Sequence, residues 1–113
     1  MEISVDRKEI VEFCKEFISV PSPVSYYEEI HPFLEKKAKE LGYEVTYDRK
    51  RTGYITLEGE DNSKTVCMGA HLDTIGLIVR HITDEGHLEV RQLGGINYSS
   101  IEGEGVTIHT RDG

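Results

Sequence analysis

A histidine, one spacer and an aspartate close the apolar run at residues 65–71, which reads Thr-Val-Cys-Met-Gly-Ala-His and continues into Leu72 and Asp73. Such a run reads as a central strand, and open α/β sheets build their sites at the carboxyl ends of such strands. Side chains alternate along an extended segment, so His71 and Asp73 are expected on one side, with Asp73 accepting a hydrogen bond from one ring nitrogen. The other nitrogen would then be free, in a fixed tautomer, to hold a metal. Thr74, Ile75 and Gly76 follow, and the glycine permits a turn or a close backbone approach. On the residues alone, metal ligation and a hydrogen-bonded structural histidine are both open readings.

The elements that must position this pair can be read from period and punctuation. Asp6 with Glu9 has the form of a capping box, and Ile10, Phe13, Cys14, Phe17 and Ile18 recur at helical spacing. This predicts a helix over residues 7–19, stopped by Pro21 and Pro23, with its apolar stripe in the core. Ser25 with Glu28 repeats the capping box ahead of Ile30, Leu34, Ala38 and Leu41, and Gly42 closes that second helix. Pro32 either bends it or delays its start to about His31.

From Tyr43 the period changes to two. Short strands are expected at residues 45–47 and 54–57, and a polar turn at 60–64 leads into the 65–71 run. Residues 77–82 and 87–93, joined through Asp84, Glu85 and Gly86, form a β-hairpin pattern. Beyond Gly94 and Gly95, residues 106–110 suggest a further strand. Two helices followed by strands predict an α/β layer and not a bundle. His81, His87 and His109 fall in the strands, where surface positions are expected for them. Arg111, Asp112 and Gly113 read as half a turn without its partner strand, an ending that looks like a cut.

At 113 residues the chain has room for one modest domain. A 37% hydrophobic and 30% charged composition fits a globular protein and not a disordered one. The net charge of -8 argues against nucleic acid or an anionic membrane as partner, since both need a basic footprint. Arg49, Lys50 and Arg51 accordingly read as a solvated loop. The amino terminus lacks the basic and apolar regions of a secretory signal, and no apolar run approaches a membrane span, so a cytoplasmic location is expected. Cys14 and Cys67 have no CxxC partner and are expected as small buried hydrophobes.

Taken in order, the helix ending in Val20-Pro21-Ser22-Pro23, the stretch Gly69-Ala70-His71-Leu72-Asp73-Thr74-Ile75-Gly76-Leu77-Ile78-Val79, the Asp84-Glu85-Gly86 turn, Leu93-Gly94-Gly95 and Gly105-Val106-Thr107-Ile108 form a spaced series. The series resembles the amino-terminal third of the tetrahedral or glutamyl-aminopeptidase family of metallopeptidases. That resemblance implies a hydrolase that removes amino-terminal residues from peptides with two divalent metal ions, zinc or cobalt. It also implies an α/β peptidase domain interrupted by a β-barrel dimerisation domain. Residues 1–73 would begin the catalytic domain and residues 74–113 would open the barrel.

By the same resemblance His71 is a metal ligand and Asp73 its catalytic carboxylate supporter, while Thr74 stands where the family more often has Glu. The implied partners are a peptide substrate and further copies of the chain, in a dimer-based homo-oligomer that reaches twelve subunits in the family. The bridging carboxylate and the Glu base of such a site would lie past Gly113. Glu28 and Glu29 precede the His-x-Asp stretch at a helix start and read as first-turn charge complementing the helix dipole. The reading is therefore a fragment of a metal-dependent aminopeptidase, supplying one metal ligand and inactive alone. Its alternative is a non-catalytic assembly or peptide-binding module that keeps the peptidase scaffold, and a related His-x-Asp peptidase or deacylase is a third reading.

Overall fold

The computed structural model describes residues 4–112. Along it run α1 (Arg7–Ser19), α2 (Ile30–Glu40), β1 (Thr46–Tyr47), β2 (Gly53–Tyr54), β3 (Gly76–Ile82), β4 (Leu88–Leu93) and a 3-10 turn at Tyr98–Ser100. Two helices and two small antiparallel sheets give the chain α/β character. It divides into two compact units, one up to Thr74 and one from Ile75 onward.

In the first unit α1 occupies the residues that its apolar spacing and capping box predict. The Asp6 backbone is extended, and its carboxylate accepts from the Lys8 and Glu9 amides, two of the donors that an α-helix start leaves unpaired. The helix stops at Val20, whose extended backbone is the conformation that the following Pro21 requires. The second capping box does not form: α2 starts after Glu29 with no side-chain cap, and Ser25 turns the chain through φ 71°. Pro32 falls in the first turn of α2, where a missing amide hydrogen costs least, so the helix begins there instead of bending. Gly42, at φ 83°, ends it through its amide bond to the Lys39 carbonyl.

The two helices meet through aromatic rings. Phe17 packs edge-on against Phe33 with centroids 5.0 Å apart, and Lys37 lies over the Phe33 ring while pairing with Glu16. Ile30 and Ala38 of α2 are buried. The stripe of α1 is not core as expected, because Ile10, Phe13 and Ile18 stay exposed. An amphipathic helix needs a layer along its whole apolar face, and α2 covers only part of it.

β1 and β2 pair antiparallel, Thr46 opposite Tyr54 and Tyr47 opposite Gly53, so the second strand is shorter than its pattern suggests. The expected strand at residues 65–71 does not form, and Val66 and Met68 are 89% and 94% exposed. A strand exists only where a neighbour completes its ladder, and among the described residues nothing pairs with this run. Cys14 and Cys67, expected to be buried, are exposed for the same reasons.

In the second unit β3 and β4 form the expected hairpin, from Gly76 opposite Leu93 to Ile82 opposite Leu88, with a bulge between Val79 and His81. Thr83 and His87 close its turn, and Gly86 takes the positive φ of 82° there. Among the described residues, 106–110 carry no strand assignment. No helix among the described residues is long and apolar enough to cross a membrane.

Candidate functional site

Ser22 is a buried polar residue that straps the His-x-Asp stretch in place. Its hydroxyl donates to the Leu72 carbonyl at 2.8 Å, and its own carbonyl accepts from the Thr74 amide at 2.8 Å. Pro23 and Thr74 form an isolated parallel bridge beside these bonds. Two hydrogen bonds thus bracket Asp73 and fix the backbone that carries both candidate side chains.

Within that frame the His71 ring folds back on Asp73. Its Nδ1 lies 3.1 Å from the Asp73 carbonyl oxygen and 3.5 Å from Asp73 Oδ1. Both oxygens are acceptors, which assigns the ring proton to Nδ1 and leaves the Nε2 lone pair pointing elsewhere. The His71 side chain is 84% exposed, so that lone pair is accessible. The arrangement differs from the expected one in two respects: the nearer acceptor is the aspartate's backbone oxygen and not its carboxylate, and the stretch that carries the pair is not a strand.

This geometry makes His71 one oriented donor. Among the described residues no group of three or more His, Cys, Asp or Glu gathers where it could hold a metal ion. Zinc sites ordinarily take at least three protein ligands, so these residues do not by themselves fit a metal pair. Glu28 and Glu29 are engaged locally: Glu28 accepts from the Tyr27 amide and Glu29 from the Tyr26 hydroxyl.

A cavity of about 300 Å³ in the first unit counts His71 and Asp73, and also Lys50, Arg51 and His31, among its lining residues. His31 is buried between two tyrosines, stacked on Tyr47 at 4.3 Å and on Tyr27 at 4.8 Å between centroids. Burial, and then the Arg51 charge, push its pKa below the usual imidazole value, against opposing Glu35 and Glu28. A neutral ring accepts at Nδ1 from the Arg51 guanidinium, 3.2 Å away. Burial also raises the Tyr47 hydroxyl to about 12, with Glu35 adding to the shift.

Asp48 builds the turn that presents Arg51. Its Oδ1 accepts from the Lys50 and Thr52 amides at 2.8 and 2.9 Å, and its carbonyl accepts from the Arg51 amide at 3.0 Å. The amide of Thr52, followed by that of Lys50, holds this carboxyl below its ordinary range. Arg51 is thereby fixed at φ 69°, a region that side-chain-bearing residues seldom enter.

Sequence reasoning placed His71 and Asp73 but missed Ser22, His31 and Arg51. The Asp48 turn was the available signal, since an Asp at the head of a polar run closes a turn by accepting from the amide two residues on. Nothing in the spacing linked His31 to Arg51.

A family model described as M42 glutamyl aminopeptidase matches residues 52–113. Over 106 residues the chain is 36% identical to "Putative aminopeptidase YhfE" of Bacillus subtilis (strain 168), which covers 94% of this chain and 31% of that protein. It is 30% identical over 104 residues to a lysyl aminopeptidase of Pyrococcus furiosus, covering 90% of this chain and 29% of that protein. A glutamyl aminopeptidase of Lactococcus lactis subsp. cremoris is 29% identical over 85 residues, 74% of this chain and 24% of its own length. The chain therefore spans about a third or less of these relatives. No solved structure matches it.

Proposed function

This chain belongs to the M42 glutamyl aminopeptidase family, and from that premise we propose that it supplies the His71–Asp73 element of a metal-dependent aminopeptidase. The observation that carries the reading is the His71 ring itself. Its Nδ1 lies 3.1 Å from the Asp73 carbonyl oxygen with Asp73 Oδ1 at 3.5 Å, and the exposed ring leaves Nε2 for a metal, the division of roles that metal-bound imidazoles show. Ser22 supports it by fixing the backbone on both sides of Asp73.

In a polypeptide of the relatives' length, residues up to Asp73 belong to the catalytic domain and those that follow begin a dimerisation domain. His71 is then one ligand of a divalent pair, and Asp73 keeps its proton on Nδ1. The further ligands of such a pair, and a carboxylate base, would be supplied from outside residues 4–112. The metal, zinc or cobalt, supplies an activated water and a polarised carbonyl when bound. The substrate is a peptide with a free amino terminus, the setting is the cytoplasm, and the active form is a homo-oligomer.

Cobalt(II) titration followed by NMR tests the ligand assignment. Paramagnetic broadening is expected at the His71 ring ahead of the other histidines, absent in H71A and shifted to concentrations about 10–100-fold higher in D73N. Equal, weak broadening at every histidine would sink the reading. The alternative, an assembly module without catalysis, draws on the exposed and unpaired run around Val66 and Met68.

A further inference from the structure

Arg51 is the one member of its basic run that the fold engages closely. Its guanidinium donates to His31 Nδ1 at 3.2 Å and sits 5.6 Å from the ring centroids of both Tyr27 and Tyr47. The Asp48 turn imposes a left-handed backbone to place it there. A guanidinium has five N–H donors, and the contact with His31 uses one of them, on Nη2. Among the described residues no carboxylate lies within ion-pair distance of Arg51 or Lys50. A pre-oriented arginine without a carboxylate, on the wall of a cavity, has the geometry for two parallel bonds to one.

We propose that Arg51, with Lys50 beside it, is a carboxylate-binding point in the cavity that His71 and Asp73 also line. The ligand's being a peptide rests on the aminopeptidase reading above; the carboxylate chemistry rests on Arg51 alone. Two parts of a peptide carry that group, an acidic side chain and the free carboxyl terminus. The relatives' names, glutamyl for one and lysyl for another, make no choice between them. Room for either exists, since about 300 Å³ holds a side chain or the end of a dipeptide. His31 acts as a positioning residue: it fixes the guanidinium from behind, and its ring faces are closed by the tyrosines.

The test is an NMR-monitored titration of the chain with three dipeptides: glutaminyl-alanine amide, which has no carboxylate; glutamyl-alanine amide, which has only the side-chain one; and glutaminyl-alanine with a free carboxyl end. At least one acidic peptide is expected to bind about fivefold or more tightly than the neutral amide, the gain of one charged hydrogen-bonding contact. Whichever gains identifies the source of the carboxylate. R51G should erase the preference while keeping the turn, because glycine takes φ 69° without strain. R51K, which keeps charge but not the fork, should retain part of it.

Equal binding of all three peptides, or a preference that survives R51G, overturns the proposal. Cobalt broadening at His71, measured on the same samples without peptide, separates this failure from that of the broader reading. If His71 is still singled out, the carboxylate point alone is wrong; if neither effect appears, the aminopeptidase reading falls with it.

Discussion

His31 shows how a single buried ring couples the fold to pH. Its pKa is lowered in the folded chain, first by burial and then by Arg51, while the unfolded chain titrates near the ordinary histidine value of about 6.5. Below that value the unfolded state takes up the proton that the folded ring resists, so protonation favours unfolding. Stability is therefore full above about pH 6.5 and falls as pH drops toward and through the lowered folded value. Urea midpoints measured from pH 7.5 to pH 5 are expected to decline, and H31F, an apolar ring without a titrating group, should flatten that decline between pH 6.5 and 5. An unchanged slope in H31F would assign the effect to other groups. The sequence could not disclose this, because His31 lies next to the apolar Ile30 on α2 and its partners come from 16 and 20 residues later in the chain.

At the scale of elements, the strap from Ser22 to residues 72–74 is what turns a sequence motif into a site. S22A keeps the backbone bond to Thr74 but leaves the Leu72 carbonyl without its 2.8 Å donor. The expected cost is about 1 kcal/mol in global stability, with faster hydrogen exchange at the Thr74 amide. An S22A chain with unaltered exchange there would show that the Pro23–Thr74 bridge suffices. Local signals were legible wherever the element closes on itself. Asp6 with its helical stripe determined α1, and the Asp84 to Gly86 turn determined the β3–β4 hairpin. They failed where the partner is distant or missing. Ser25 belonged to a capping box by pattern, yet the chain needed a left-handed turn there. The run at 65–71 has strand composition but no neighbour among the described residues to complete a ladder. The His71–Asp73 pair was legible because its contact spans two residues; Ser22, fifty positions from Leu72, was not.

For the molecule as a whole, the consequence lies in the apolar surface that this folding leaves in water. Val66 and Met68 project almost fully into solvent from a stretch of strand composition that, among the described residues, pairs with no strand. Unpaired extended apolar segments are templates for another strand, including that of a second copy. Opposing this is the net charge of -8, which makes copies repel one another at low salt. These two effects respond oppositely to ionic strength. Raising salt from 0.02 to 0.5 M, illustrative concentrations that shorten the screening length from about 20 Å to about 4 Å, removes the repulsion and leaves the apolar attraction in place. Light scattering is therefore expected to show a mass that rises with protein concentration, and more steeply in the higher salt. The double variant V66K/M68K should abolish the rise without loss of helix signal, since neither side chain contributes to the packed rings of α1 and α2. A wild-type chain that stays monomeric at high concentration in 0.5 M salt would remove the observation on which the assembly reading stands. Association that persists in V66K/M68K would move the contact to another apolar face, such as the exposed Ile10 and Ile18 of α1.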